Sequence, residues 1–375
     1  MKNFPKVSTW TLFRSNPSAP EMLKPKRDPW LDFLKTLGCF LMLLAHSHVE
    51  TRTLLSHYAV FVGTFAPVFF FGVSGVTTLL QLASRPLSYF LIFYPLLFVY
   101  GLSFNGAKGV NFWQEPQCEV IQGIALGILV SALLLSRFGE KVSLLFPLPF
   151  LLHLGVKKLG LNLPGITGFL FPPGIFPLFP WLSFFLWGIL CHRYRTLGLT
   201  LTVAAGAAYF AMALAGYGHC EKWEMNSPFF LLGLSLYGFL ALMDRFAPLI
   251  PDQLNYLGRR SLLFFYAHYL VLQCWRAVGF PLVPALTWTG ALAGAVLLCW
   301  VTERLNFLLI ARFSSHIWFW VFLLTLVLLP PLFLPPAAFT ATSYLSGFLF
   351  ALNYRQLHQL ASPKPPQIDA GDRFC

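Results

Sequence analysis

Arg27-Asp-Pro-Trp-Leu-Asp-Phe-Leu-Lys-Thr-Leu-Gly-Cys-Phe-Leu-Met-Leu-Leu-Ala-His-Ser-His48 begins with charge and then runs almost wholly apolar. The stretch 30–46 matches the 17 to 25 residues that a membrane-crossing helix needs. Lys35 lies inside this span, where an ionisable group is costly and usually functional. Asp32, three residues earlier, shares its helical face. His46 follows Lys35 by eleven residues, which at about 100° per residue returns to within about 20° of the same face. A rise of 1.5 Å per residue separates them by about 16 Å along the axis. One stripe therefore carries a carboxylate and an amine near one membrane face and an imidazole near the other.

Composition extends that reading to the whole chain. Of 375 residues, 57% are hydrophobic and 11% charged, against about 25% charged in a soluble domain. A soluble protein of this length would have more apolar surface than one core can hide; a lipid-facing surface removes the problem. The net charge of +12 does not indicate nucleic-acid binding. Its Lys and Arg residues sit in short gaps between apolar runs and form no patch interleaved with exposed aromatics.

Twelve candidate spans follow: 30–46, 57–83, 87–105, 118–135, 142–154, 176–192, 197–216, 227–243, 261–280, 284–302, 317–334 and 336–354. The fifth is short and broken by proline, so it reads either as a pass or as a re-entrant segment. The expectation is an all-α polytopic membrane protein, a bundle of about 10–12 transmembrane helices. Of its 26 Lys and Arg residues, nineteen fall in segments that are inner if the N-terminus is cytoplasmic. Six fall outside and Lys35 lies within the first span, a bias the positive-inside rule explains. The chain divides into a basic cytosolic tail (1–28), a membrane domain (29–354) and a cytosolic C-terminal tail (355–375), with no separate soluble domain. Residues 1–26 lack the short apolar core and cleavage site of a signal peptide.

Phe171-Pro-Pro-Gly-Ile-Phe-Pro-Leu-Phe-Pro-Trp181 is too proline-rich to face lipid, because its unpaired backbone groups must pack on protein or line an aqueous cavity. The seven cysteines show no CxxC pair and no metal-ligand spacing. Cys118 and Cys220 both fall near the outer surface, so a disulfide between them stays open.

The first stripe suits acyl transfer across a membrane. Inner cations such as Arg27 and Lys35 would hold the phosphates of an anionic thioester. An outer acceptor needs a base with a pKa near neutral, which histidine supplies; His46, His48 and His57 crowd that region, together with Glu50. Arg259 and Arg260 open a late span that carries His268; the arginines are candidates for donor phosphates and His268 for a donor tunnel. The plainer alternative makes both arginines topology anchors, and Lys35 a snorkelling side chain neutralised by Asp32. Ser74, between Gly72 and Gly75, is either a reactive or substrate-binding hydroxyl or part of a close-packing surface. Glu119 and Gln122 share a face at the outer start of the fourth span and either bind acceptor hydroxyls or wet the interface.

Leu31-Asp-Phe-Leu-Lys…His46 resembles the opening helix of the acyltransferase-3 family, where an Asp and an Arg precede a His. Phe69-Phe-Phe-Gly-Val-Ser-Gly75 is similar to that family's Phe-Phe-x-x-Ser-Gly element. Phe176-Pro-Leu-Phe-Pro-Trp-Leu-Ser-Phe-Phe-Leu-Trp-Gly188 and Leu257-Gly-Arg-Arg-Ser-Leu-Leu-Phe-Phe-Tyr-Ala-His-Tyr269 resemble elements of the heparan-α-glucosaminide N-acetyltransferase-like family. The four pieces occur in order over residues 27–269. The resemblance implies a bundle of ten or eleven helices that passes an acyl group from cytosolic acyl-CoA, acetyl-CoA first, to an extracytoplasmic glycan or lipid-linked acceptor. It gives Lys35 the thioester-side basic role and His46 the reactive imidazole. Lys35 stands where the family has Arg and lacks its planar fork. The acetyltransferase family's reactive His precedes the position of Pro67, where His57 is an approximate match; helical phase with Lys35 favours His46. On this reading a His is general base or acyl carrier, no metal is needed, and a bacterial inner membrane would suit so compact a chain. A multi-pass transporter and a non-catalytic scaffold of an envelope glycan system are the alternatives. A transporter predicts internal repeats and paired broken helices, and no repeat is visible.

Overall fold

A computed structural model of the protein describes residues 28–47, 54–161, 168–171, 174–278 and 284–362. Of the candidates above, Arg27 and His48 lie outside these residues, as does Glu50.

Asp28 caps the first helix, its Oδ1 accepting from the amides of Trp30 (2.8 Å) and Leu31 (3.3 Å). Pro29 fills the first turn, where a missing N–H costs nothing. The helices are α1 (Pro29–His46), α2 (Leu54–Gly63), α3 (Ala66–Leu82), α4 (Leu87–Ala107), α5 (Val120–Phe138), α6 (Pro147–Lys158), α7 (Leu178–Arg193) and α8 (Arg195–Leu214). They continue with α9 (Ser227–Ala241), α10 (Tyr256–Arg259), α11 (Ser261–Val278), α12 (Pro284–Leu309), α13 (Ile317–Leu328), α14 (Pro330–Phe333) and α15 (Pro336–Leu360). The chain is an all-α polytopic membrane protein. Among the described residues, five segments are long and apolar enough to cross a bilayer by themselves: Leu54–Leu82, Leu87–Ala107, Val120–Phe138, Arg195–Leu214 and Ala285–Leu309.

The outward faces support this. Val203, Phe210 and Leu214 on α8 and Leu297, Trp300 and Phe307 on α12 are all exposed. A continuous apolar exterior of this kind is solvated by lipid and not by water. Inside, α3 and α7 touch backbone to backbone: a Cβ at Gly75 would overlap the Phe185 carbonyl, and one at Gly188 the Gly72 carbonyl. Small residues at such crossings are how membrane helices associate when lipid removes the hydrophobic drive between them. The Gly72–Gly75 cluster thus serves close packing, one of its two expected readings.

The fifth span is a 3₁₀ turn and a short helix that run alongside α7. A 3₁₀ turn (Glu140–Leu145) leads into α6, and Glu140 pairs with Arg193 at the inner end of α7. At the far end His153 Nε2 lies 2.8 Å from the Glu224 carbonyl in the outer α8–α9 loop. The last helix runs past residue 354 to Leu360, so part of the expected C-terminal tail is helical. Cys118 and Cys220 are both free thiols; the disulfide left open above is not formed.

Candidate functional site

Two cavities meet within the bundle, and residues from five helices line both or divide them. The larger, about 530 Å³, carries Lys35, Arg85, Arg355 and His358 toward the inner end. Arg85 lies between α3 and α4 and Arg355 in the last turns of α15, so three basic side chains distant in sequence converge at one face. This is the end that the charge bias of the sequence places inside. Ser74, Thr77 and Gln81 continue one wall along α3. The Ser74 carbonyl accepts from the Thr77 (3.0 Å) and Thr78 (2.7 Å) hydroxyls.

The inner end is anchored around Asp32, which is only 3% exposed. Lys35 Nζ lies 3.7 Å from one carboxylate oxygen and Arg259 Nε 3.6 Å from the other. Thr36 fixes the incoming loop: its hydroxyl donates to the Leu254 carbonyl (2.8 Å) and accepts from the Gly258 amide (2.9 Å). Gly258 is required there, because a Cβ would overlap the Asp32 carbonyl. Asp32, which shares the Lys35–His46 stripe and would be a catalytic candidate on that ground, sits at the opposite end of α1 from His46, between two cations.

Both late-span arginines are already paired with carboxylates. Arg259 pairs with Asp252 as well as Asp32 and lies away from the large cavity. Arg260 pairs with Glu303 and lies over the Tyr256 ring, 4.2 Å from its centre. Both arginines line a separate inner cavity of about 130 Å³ with Lys35, Glu303 and Arg355. Both guanidinium groups already have carboxylates, so they are weaker candidates for donor phosphates than Arg85 and Arg355.

The outer cavity, about 60 Å³, is lined by His46, Lys108, Glu119, Lys222, Trp223 and Tyr269. Phe70, Val120 and Phe265 line this cavity and the large one alike, so these three apolar side chains form the partition. Ile175 and Phe176 bring the proline-rich segment to the outer wall, and Phe176 packs beside Phe71 and Trp181.

His46 Nδ1 lies 3.0 Å from His268 Nε2, with the rings nearly parallel at 12°. His268 Nδ1 in turn lies 2.9 Å from the Phe264 carbonyl. A carbonyl only accepts, so His268 Nδ1 carries the hydrogen and its Nε2 is the acceptor. His46 Nδ1 must then donate, which leaves the lone pair of neutral His46 on Nε2. His268, expected at a donor tunnel, is fully buried, does not line the large cavity and lies against His46. The outer end of α1 is held by Arg276, which donates to the His46 carbonyl (2.8 Å), and by Trp288, which donates to the Ser47 hydroxyl (3.0 Å).

Glu119 and Gln122 close a capping box on α5: the Glu119 side chain accepts from the Gln122 amide, and Gln122 Oε1 accepts from the Glu119 amide (2.8 Å). Gln122 also donates to Asn105 Oδ1 (2.9 Å) and is buried in that network. Glu119 reaches the cavity, paired with Lys108. His57 is exposed on α2, edge-on to Tyr58, and lines neither cavity. No family model, curated protein or solved structure matches the chain.

Arg85, Arg355, Lys108 and Lys222 were legible in sequence only as charges near span ends. For the last helix, Arg355, His358 and Gln359 share one helical face, a signal that was present. Nothing local marks Lys222, an outer-loop residue whose ammonium lies 3.7 Å from the centre of the Trp223 ring. Burial, opposed by Glu119, brings its pKa down to about 8.

Proposed function

We propose that the protein is a membrane-bound acyltransferase, moving an acyl group from cytosolic acyl-CoA to a hydroxyl or amine acceptor on the far side of the membrane. One observation carries this reading: a large, cation-mouthed inner cavity and a small outer cavity holding a histidine pair abut at Phe70, Val120 and Phe265. Lys35, Arg85 and Arg355 offer charge-assisted contacts to the phosphates of the donor. The thioester arm extends along the Ser74–Gln81 wall toward the partition, and the acceptor enters from outside.

In the reaction His46 Nε2 takes the acceptor's proton as its oxygen or nitrogen attacks the thioester carbonyl. The carbon–sulfur bond breaks, the new ester or amide bond forms, and the proton passes to the departing thiolate. His268 holds the His46 tautomer and, backed by the Phe264 carbonyl, stabilises the imidazolium that forms. In a two-step variant the same Nε2 carries the acyl group.

The test is purified protein in nanodiscs with labelled acetyl-CoA, following thioester cleavage and transfer for wild type, His46→Ala and Lys35→Ala. Cleavage lost in His46→Ala and a raised donor KM in Lys35→Ala support the enzyme. Absence of thioester cleavage with acetyl and longer donors would leave the same two cavities to a transporter.

A further inference from the structure

The outer cavity holds more positive charge than its carboxylate balances. Glu119 is committed to Lys108 and to the α5 capping box. Lys222 Nζ lies over Trp223 and 5.6 Å from the centre of the Phe176 ring. Among the described residues no carboxylate lies within ion-pair distance of it. The adjacent Glu221 is turned to its own loop, accepting from the Trp223 amide at 3.1 Å. A half-buried ammonium that lies over ring faces, with Glu119 acting on it only from beyond ion-pair distance, is poorly compensated.

Size narrows what compensates it. The cavity of about 60 Å³ has room for about two water molecules, enough for one carboxylate or phosphoryl group. The rest of a ligand must lie outside, where Trp223 is 54% exposed and offers a flat apolar face. We propose that the outer cavity binds the anionic group, carboxylate or phosphate, of an acidic ligand, with Lys222 as its counter-ion and Trp223 as the surface beside it. On the acyl-transfer reading this ligand is the acceptor, so the acceptor is acidic; anion binding itself does not depend on that reading.

The experiment reads binding and transfer separately. Full-length protein in nanodiscs is treated briefly at pH 7 with an amine-acetylating reagent, and modification is followed by peptide mass spectrometry. Lys222 is compared with exposed Lys158 in the presence of glucose, glucuronate or glucose 6-phosphate. Glucuronate or glucose 6-phosphate should slow labelling of Lys222 on the order of tenfold, the change in free amine that one unit of pKa produces. Glucose should leave it unchanged, and Lys158 should respond to none. Which anion protects distinguishes carboxylate from phosphate. Equal protection by glucose, or protection by neither anion, overturns the proposal.

Transfer of labelled acetyl to the same three compounds is the second arm. Wild type should favour the charged acceptors by roughly tenfold, the worth of one charge-assisted hydrogen bond. Lys222→Gln should lose that preference and Lys222→Arg keep it. Protection of Lys222 without transfer to any compound leaves the anion site standing and removes the acyltransferase reading. Transfer to all three at equal rates does the reverse.

Discussion

His46 Nδ1 and His268 Nε2 lie 3.0 Å apart although 222 positions separate them in the chain. The pair joins the outer end of α1 to the middle of α11, and the Phe264 carbonyl fixes which nitrogen of each ring holds a hydrogen. Tyr269, one residue on, meets the His46 ring edge-on at 5.9 Å. The imidazole at the outer cavity is thus held by a hydrogen bond on one side and an aromatic edge on another.

Because His268 acts through His46, removing it should cost no more than removing His46 itself. His268→Leu is expected to lower acyl transfer on the order of a hundredfold, the lower range for a positioned general base, with little change in donor KM. The double variant with His46→Ala should be no slower than His46→Ala alone, since groups that act as a unit are non-additive. Steady-state kinetics of the two single variants and the double variant check this; independent, multiplying losses would remove the coupling.

The inner cations should act on binding. Arg85→Ala and Arg355→Ala are each expected to raise donor KM by roughly tenfold, the loss of one charge-assisted contact, with kcat nearly unchanged. Neither residue pairs with a carboxylate among the described residues, unlike Arg259 and Arg260. Arg259→Ala should therefore affect thermal stability more than donor KM. Donor KM measured across a salt series checks the assignment, because wild type should weaken with salt more steeply than either cavity variant.

What was legible in the sequence follows helical geometry. The passes, their alternation and the shared face of Lys35 and His46 depend on apolar runs, charge placement and the 3.6-residue period, all local. The partner of His46 depends on how α1 and α11 cross, and no local spacing encodes that. The same limit hid the convergence of Arg85 and Arg355 with Lys35. It also explains Arg260, whose carboxylate partner Glu303 lies on α12, beyond reach of any motif around residue 260. Lys222 is one charge in a loop between two spans, and only the fold shows it over Trp223 and beside the outer cavity.

Titration of Lys222 has a definite sign. Burial lowers its pKa from 10.5 to about 8, so between these values the unfolded chain holds a proton that the folded chain has released. Stability then rises with pH in this window, because the unfolded state binds more protons. Wild type should gain in unfolding temperature relative to Lys222→Gln as pH goes from about 8 toward 10.5. Melting curves of both proteins across that range check it, and parallel pH profiles would mean that Lys222 is not buried as described.

The partition between the cavities makes the last prediction. Phe70 lines both, and its ring lies against Gly38, where an added Cβ would come within 3.1 Å of two ring carbons. Gly38 sits on α1 between Lys35 and His46, so the missing side chain gives Phe70 its place. Gly38→Val would push the ring off α1 into the space between the cavities, and acetyl transfer should fall while donor binding at Lys35, Arg85 and Arg355 persists. Phe70→Ala should do the opposite, joining the cavities and admitting longer chains at a stability cost of about 3–5 kcal/mol. The comparison is the ratio of hexanoyl to acetyl transfer, with folding checked by size exclusion and melting. A ratio that rises in Phe70→Ala and is unchanged in a Val120→Ala control would assign chain-length selection to the Phe70 ring. An unchanged ratio in Phe70→Ala would move that selection to another part of the path.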